Sequence, residues 1–267
     1  MNERPRNKGK ISFSRVECWK DCPRKFRFRY IDKIPTEPDY SATNPLILGS
    51  TLDRGLEHGM EEAEKYYWSQ YHVASDEGET ELMKIEHWLK ILRPKFKNGK
   101  FQTKIETDNF IGFADYIEDN LLVDLKYSNN TEKYADSPQI HVYASMLDPR
   151  PEYLGYVCVP KTGIRQKKFK PATGKKKKDT PGEDIQDFRR RVMKELNDME
   201  VQYIWVEYDP EKVDQFWKDA EAMQKDRTWD PNHGDGCKWC DYSHICEEMS
   251  KPKVRKLKPR SEIKTNY

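Results

Sequence analysis

Two short apolar runs, Phe110 to Ile117 and Leu121 to Tyr127, flank the turn-like Glu118-Asp119-Asn120, and no other stretch of the chain restricts its fold as tightly. Asp and Asn tolerate the positive φ of a two-residue hairpin loop, so Asp119-Asn120 predicts an antiparallel hairpin. Pairing then runs outward, Glu118 with Leu121 and Ile117 with Leu122, and sets Asp115 directly opposite Asp124. Cross-strand Cβ atoms lie about 4.5–5.5 Å apart, where like charges are destabilising unless a cation lies between them. A divalent metal meets that need. Side chains alternate along a strand, so Asp124 and Lys126 share one face, while Leu121, Val123 and Leu125 point to the other with Ala114 and Tyr116. The plain alternative is a solvated surface hairpin, but Phe113, Ile117 and Leu122 fall on the charged face too.

At 267 residues the chain is long enough to bury a sizeable core. It is polar, with 35% charged residues, but 36% hydrophobic and 12% aromatic residues exclude wholesale disorder. No run approaches the roughly 18 apolar residues of a membrane span, and the N-terminus lacks the apolar core of a signal peptide. A cytoplasmic protein is expected, in a host cytoplasm if the chain is phage-encoded. The net charge of +2 hides segregation: Arg165 to Lys178 carries +8, Lys251 to Tyr267 carries +6, and the remainder carries −12. An acidic scaffold with basic segments suits a cation-holding site and a polyanionic partner, with nucleic acid the obvious one.

Cys237, Cys240 and Cys246 form a C-x2-C-x5-C cluster, which in a reducing compartment reads as a metal site. Cys22, Cys18, His233 and His244 are candidates for a fourth ligand, whereas Cys158 lies in an apolar run and reads as core. Four cysteines suit zinc or a [4Fe-4S] cluster; three with a histidine favour zinc.

Taken in order, these motifs resemble the PD-(D/E)XK nuclease superfamily, specifically its RecB-like branch with an iron-sulfur cluster, which includes CRISPR-associated and phage exonucleases. Ser12 to Tyr30 is similar to the family's opening helix, with Cys22 as first cluster ligand, and Leu48-Gly49-Ser50-Thr51-Leu52-Asp53 to its glycine-led helix start. Gly112-Phe113-Ala114-Asp115 and Asp124-Leu125-Lys126 are similar to the catalytic strands, Gln139 to Tyr143 to the Q-x3-Y helix, and Cys237, Cys240 and Cys246 to the closing cysteines. Relatives commonly carry histidine where this chain has Asp53, a hard oxygen ligand well suited to Mg²⁺ or Mn²⁺. His58 is the second choice, about 140° around the helix from Asp53.

The resemblance implies a metal-dependent DNA exonuclease acting on single strands or ends, in phage or CRISPR-linked processing or recombination, with a possible protein partner from those systems. It implies Asp53, Asp115, Asp124 and the carbonyl of Leu125 as metal ligands, and Lys126 as electrostatic stabiliser or base. Gln139 would orient Lys126 or a metal-bound water, and Tyr143 would contact the DNA backbone. The competing reading is a non-catalytic, iron-sulfur or zinc nucleic-acid-binding protein that keeps the fold.

The expected fold is α/β, a restriction-endonuclease-like mixed sheet flanked by helices, with an N-terminal helical arch and a C-terminal cysteine-rich cap. As one domain it divides into a helical part 12–95, a core 96–228 with a basic loop 165–183, a cap 229–249 and a basic tail 250–267. Helices are expected at Ser14 to Tyr30, Ser50 to Tyr71, Glu79 to Leu92, Pro138 to Leu147, Glu183 to Glu200 and Glu211 to Arg227. Strands are expected between Phe101 and Tyr127, at Tyr153 to Val159 and at Gln202 to Val206.

Overall fold

The computed structural model describes residues 9–37, 39–170 and 181–250, the side chains of 247–250 excepted. Lys175 to Lys178 and the basic tail lie outside the described residues. The chain divides into two compact units: Gly9–Phe13 with Pro38–Glu221, and Ser14–Glu37 with the chain from Ala222 onward. This differs from the linear division expected from the sequence. The helices before residue 95 belong with the sheet, and the first helix belongs with the cysteine segment.

In the larger unit, α3 (Pro45–His58), α4 (Met60–Tyr71) and α5 (Asp76–Leu92) precede the hairpin strands β1 (Lys100–Glu106), β2 (Ile111–Glu118) and β3 (Leu121–Tyr127). Next come α6 (Glu132–Ala135), α7 (Gln139–Ser145), β4 (Tyr153–Val159), α8 (Ile185–Asn197), β5 (Gln202–Val206) and α9 (Pro210–Lys225). The sheet runs β1-β2-β3-β4-β5, and only the β3–β4 pair is parallel. A parallel pair needs a crossover, and α6 and α7 supply it. This is the mixed sheet flanked by helices expected of the fold.

The hairpin follows the predicted register: Glu118 pairs with Leu121, Ile117 with Leu122 and Tyr116 with Val123, and Asp119 takes φ +46° in the turn. α3, α5 and α8 cover one face of β3, and α7 packs on the strand as well. Leu52, Leu56, Trp88, Leu92, Val192 and Leu196 pack there with Tyr116, Val123 and Leu125 in one core cluster. The helices expected to arch are thus a layer packed on the sheet.

Two helices differ from expectation. α3 starts at Pro45 with Asn44 as its cap, the Asn44 side chain accepting from the backbone N–H of Leu46 (2.9 Å) and Ile47 (3.3 Å). Asparagine before proline is a strong start signal, so Gly49 sits inside the helix and does not lead it. The run to Tyr71 is divided at Gly59, whose φ of +100° suits glycine and ends α3 before α4 begins.

In the smaller unit, the helix expected from Ser14 to Tyr30 is broken into α1 (Phe13–Asp21), α2 (Pro23–Phe26) and a π-helical turn Arg27–Ile31. Pro23 causes the break, since it disfavours helical backbone at the preceding Cys22, which is extended (φ −162°, ψ 113°). A 3₁₀ turn (Asp235–Trp239) and α10 (Ser243–Ser250) complete the unit. Aromatic and polar contacts hold its two chain segments together. Phe26 stacks on Trp229 (5.8 Å between centroids), Phe28 packs on Tyr242, and Trp19 Nε1 donates to Asp226 Oδ2 (2.9 Å).

Candidate active site

The β2–β3 ladder stops at Tyr116 and Val123, and from there side chains replace backbone pairing. Asp115 turns its carboxylate across the gap, where Oδ2 accepts the backbone N–H of Leu125 at 2.8 Å. Its other oxygen accepts from Gln102 Nε2 on β1 at 3.2 Å. Asp124, only 2% exposed, stands beside it on β3. Lys126 Nζ lies 2.5 Å from Asp124 Oδ2, a close ion pair to an oxygen that has no other partner.

α3 brings Asp53 into the same electrostatic field. Burial, then the charges of Asp115 and Asp124, push its carboxyl up to about 8 against the pull of Lys126. Burial likewise raises Asp115 and Asp124 above the usual carboxylate range. Burial works to lower Lys126, but Asp124 and then Asp115 outweigh it and hold the ammonium charged. Three carboxylates share one site with a single nearby cation, and each is costly to ionise there. His58, by contrast, is exposed and lies 3.4 Å from Glu57. Of the two candidates on α3, Asp53 is the one coupled to the other carboxylates.

The start of α7 completes the site. Gln139 Oε1 accepts from Lys126 Nζ at 3.2 Å, and the helix start is fixed by Ile140 N donating to Tyr156 Oη (3.3 Å) on β4. Lys126 also lies 5.8 Å from the Tyr134 ring centroid. Tyr143 is 7% exposed and packs its ring against Phe110 and Gly112. A Cβ at residue 112 would fall 2.9 Å from the Tyr143 ring, so glycine there is what lets α7 approach β2. The ring packs in the core, while its hydroxyl lies in the field of Gln139, Asp124, Asp115 and Lys126.

Among the described residues no three His, Cys, Asp or Glu side chains converge closely enough to enclose a metal ion as they stand. The donor chemistry of Asp53, Asp115 and Asp124 nevertheless fits a hard divalent cation: three carboxylates that oppose one another's ionisation, with Lys126 alone beside them, are what such an ion would relieve.

A family model for the PD-(D/E)XK nuclease superfamily matches residues 10–247. The chain belongs to this superfamily. Its members are hydrolytic nucleases that typically use divalent metals such as Mg²⁺ or Mn²⁺. No curated protein matches the chain significantly. Among the described residues, no helix is long and apolar enough to cross a membrane. Sequence reasoning missed Gln102 and Tyr134 as neighbours of the superfamily motif. Gln102 is found only once β1 is registered against β2, and Tyr134 only once the β3–α7 connection is folded back.

In the smaller unit, Cys22, Cys237, Cys240 and Cys246 line one cavity of about 360 Å³ together with Arg24, Lys25 and His233. Asn232 N donates to Cys22 Sγ (3.4 Å) and Arg24 Nη1 to Cys246 Sγ (3.9 Å), while Cys237 Sγ donates to Asn232 O (3.8 Å) and burial raises the Cys240 thiol. Cys18 and His244 do not line the cavity. Burial raises the Cys18 thiol to about 11, and Cys158 is a core residue of β4, 1% exposed.

Proposed function

We propose that this protein is a Mg²⁺- or Mn²⁺-dependent deoxyribonuclease that works as an exonuclease on single-stranded DNA or DNA ends, with a [4Fe-4S] cluster on Cys22, Cys237, Cys240 and Cys246. The observation that carries the reading is the group of Asp53, Asp115, Asp124 and Lys126, gathered where the β2–β3 ladder opens. A structural role gives no reason to gather three carboxylates, Asp124 fully buried, that oppose one another's ionisation.

Asp53, Asp115 and Asp124, with the carbonyl of Leu125, would hold the metal. When bound, it polarises the scissile phosphate and lowers the pKa of water. Lys126 keeps its proton under the pull of Asp124 and Asp115, which favours electrostatic stabilisation of the developing phosphorane charge over service as a base. Gln139 holds the ammonium at 3.2 Å and restricts its sweep. Burial of the site by α3 and α7 strengthens these charge interactions by lowering the local dielectric.

For the cluster, four thiols on one cavity supply the ligand number, and the cavity is larger than a single ion requires. His233 on the same cavity makes zinc the alternative, and metal analysis distinguishes the two. Recombination or CRISPR-associated proteins are the partners suggested by the resemblance.

The test is incubation of anaerobically purified protein with end-labelled single- and double-stranded DNA, with Mn²⁺, Mg²⁺ or chelator. Stepwise loss of label from ends, only with metal, is expected. DNA binding without cleavage under any condition would replace this reading with the non-catalytic one.

A further inference from the structure

Gln102 sits in the middle of β1 with φ +43°, a left-handed backbone that side chains bearing a Cβ rarely adopt. Around it the β1–β2 register is unbroken: Phe101 pairs with Tyr116 and Thr103 with Ala114. The rung between them, Gln102 against Asp115, is absent from the ladder. An inserted residue would shift the register on one side, and no shift occurs, so the chain has rotated locally at one position. What the rotation accompanies is a side-chain bond in place of the backbone one, Gln102 Nε2 to Asp115 Oδ1 at 3.2 Å.

We propose that Gln102 is a positioning residue for the Asp115 carboxylate, an inference that rests on the nuclease reading of the site. Asp115 Oδ2 is already held by the Leu125 N–H from β3, so the second bond from β1 clamps the carboxylate from both neighbouring strands. A carboxylate clamped at both oxygens cannot rotate about its terminal torsion. Each oxygen still has a lone pair for a cation, because a carboxylate offers about four acceptor positions in all. Hydrogen bonds from neutral N–H donors also favour the charged form, the form that binds metal. The strained backbone, an outlier beside a charged site, is placed where backbone strain serves ligand orientation.

The amide of Gln102 is therefore expected to act on metal binding through Asp115, and its removal to cost more in metal affinity than in folding. Outer partners of metal ligands typically contribute about 10–100-fold in affinity or activity. Gln102→Gly is the informative variant, since glycine adopts the same backbone without strain and removes the side chain with its amide, and Gln102→Asn keeps a side chain on the same backbone. Gln102→Asn, one methylene shorter, accepts the backbone too but falls short of Asp115.

The experiment compares wild type, both variants, Asp115→Ala and the Gln102→Gly/Asp115→Ala double variant by Mn²⁺ calorimetry, end-labelled DNA cleavage and metal-free thermal unfolding. Gln102→Gly is expected to melt at or above the wild-type temperature while Mn²⁺ affinity and kcat each fall about ten-fold. Gln102→Asn should share that loss. In metal-free unfolding, the effect of Gln102→Gly should change when Asp115 is absent, since contacting residues are not additive. Mn²⁺ affinity within two-fold of wild type in Gln102→Gly, or a strictly additive double variant, overturns the proposal. Should wild type bind Mn²⁺ yet cleave no DNA, the nuclease reading fails, and the clamp is judged by calorimetry and the unfolding cycle alone.

Discussion

Lys126 Nζ lies 3.2 Å from Gln139 Oε1, although β3 and α7 are separated by a loop and the short α6. This contact ties the second half of the Asp124-Leu125-Lys126 motif to the Q-x3-Y helix, and it separates charge placement from metal binding. Lys126→Ala should leave Mn²⁺ binding unchanged or slightly tighter, because a positive charge beside the carboxylates is removed. Cleavage should fall about 10²-fold or more, as for loss of one transition-state donor. Gln139→Ala, which leaves the ammonium present but unguided, should give a smaller loss. Calorimetry alongside a cleavage assay checks both. Equal activity of Lys126→Ala and wild type would remove Lys126 from the chemistry.

Asp124 should behave differently according to the replacement. Repulsion with Asp115 by itself suggests that deleting Asp124 stabilises the metal-free protein, but Lys126 stands 2.5 Å from Asp124 with only 23% of its side chain exposed. Deleting a partner of a buried ion pair leaves the other charge uncompensated, at a cost on the order of 3–5 kcal/mol for full burial and less here. Asp124→Ala should therefore lose cleavage and tight Mn²⁺ binding and melt lower without metal. Asp124→Asn should lose the same functions with a smaller drop in melting temperature. A higher Tm for Asp124→Ala than for wild type would show that the carboxylate repulsion dominates the ion pair.

The metal-free protein should lose stability as pH rises. Asp53 titrates at about 8 in the folded chain, against 3.8 for an ordinary aspartate. A raised folded-state value means that the native state binds the extra proton, so the stabilisation is full below about pH 4 and is lost as pH rises through 8. Carboxylates elsewhere that are paired act in the opposite direction, so the comparison is with Asp53→Asn, whose Tm should fall less between pH 5 and about 8.5. Saturating Mg²⁺ should also flatten the wild-type profile. Parallel profiles for wild type and Asp53→Asn would show that Asp53 is not strained by its neighbours.

Gly112→Ala should perturb the site through packing alone. The added methyl would meet the Tyr143 ring at 2.9 Å and the Phe110 ring at 3.0 Å, both in buried side chains. Overpacking of this kind costs about 1–3 kcal/mol, and pushing α7 outward would draw Gln139 away from Lys126. Reduced Tm with a larger proportional loss of cleavage is expected. A fully active Gly112→Ala protein would mean that α7 adjusts without moving Gln139.

The cysteine cavity gives a visible readout. Serine at Cys22, Cys237, Cys240 or Cys246 should abolish the brown colour expected of a [4Fe-4S] protein, while serine at Cys158 or Cys18 should preserve it. A colourless wild type holding one zinc per chain, after anaerobic preparation, would replace the cluster with a zinc site.

Much of this protein is legible along the chain because local rules decide it. The Asp119-Asn120 turn fixes the hairpin register, alternation fixes which residues share a face of β3, and proline and glycine mark where helices stop. Motif order also sufficed to place the chain in its superfamily. The sequence by itself could not decide where backbone pairing ends. The β2–β3 ladder opens at Asp115 because its carboxylate takes the Leu125 N–H, a choice made by tertiary burial and not by strand propensity. Nor could it show that Gly112, on another strand, leaves the space that the Tyr143 ring fills. Gln102 and Asp115 stand thirteen residues apart, and their contact exists only because β1 and β2 pair. Local chemistry determined the elements and their chemical alphabet; long-range packing determined which charges share one site, and therefore how each one titrates.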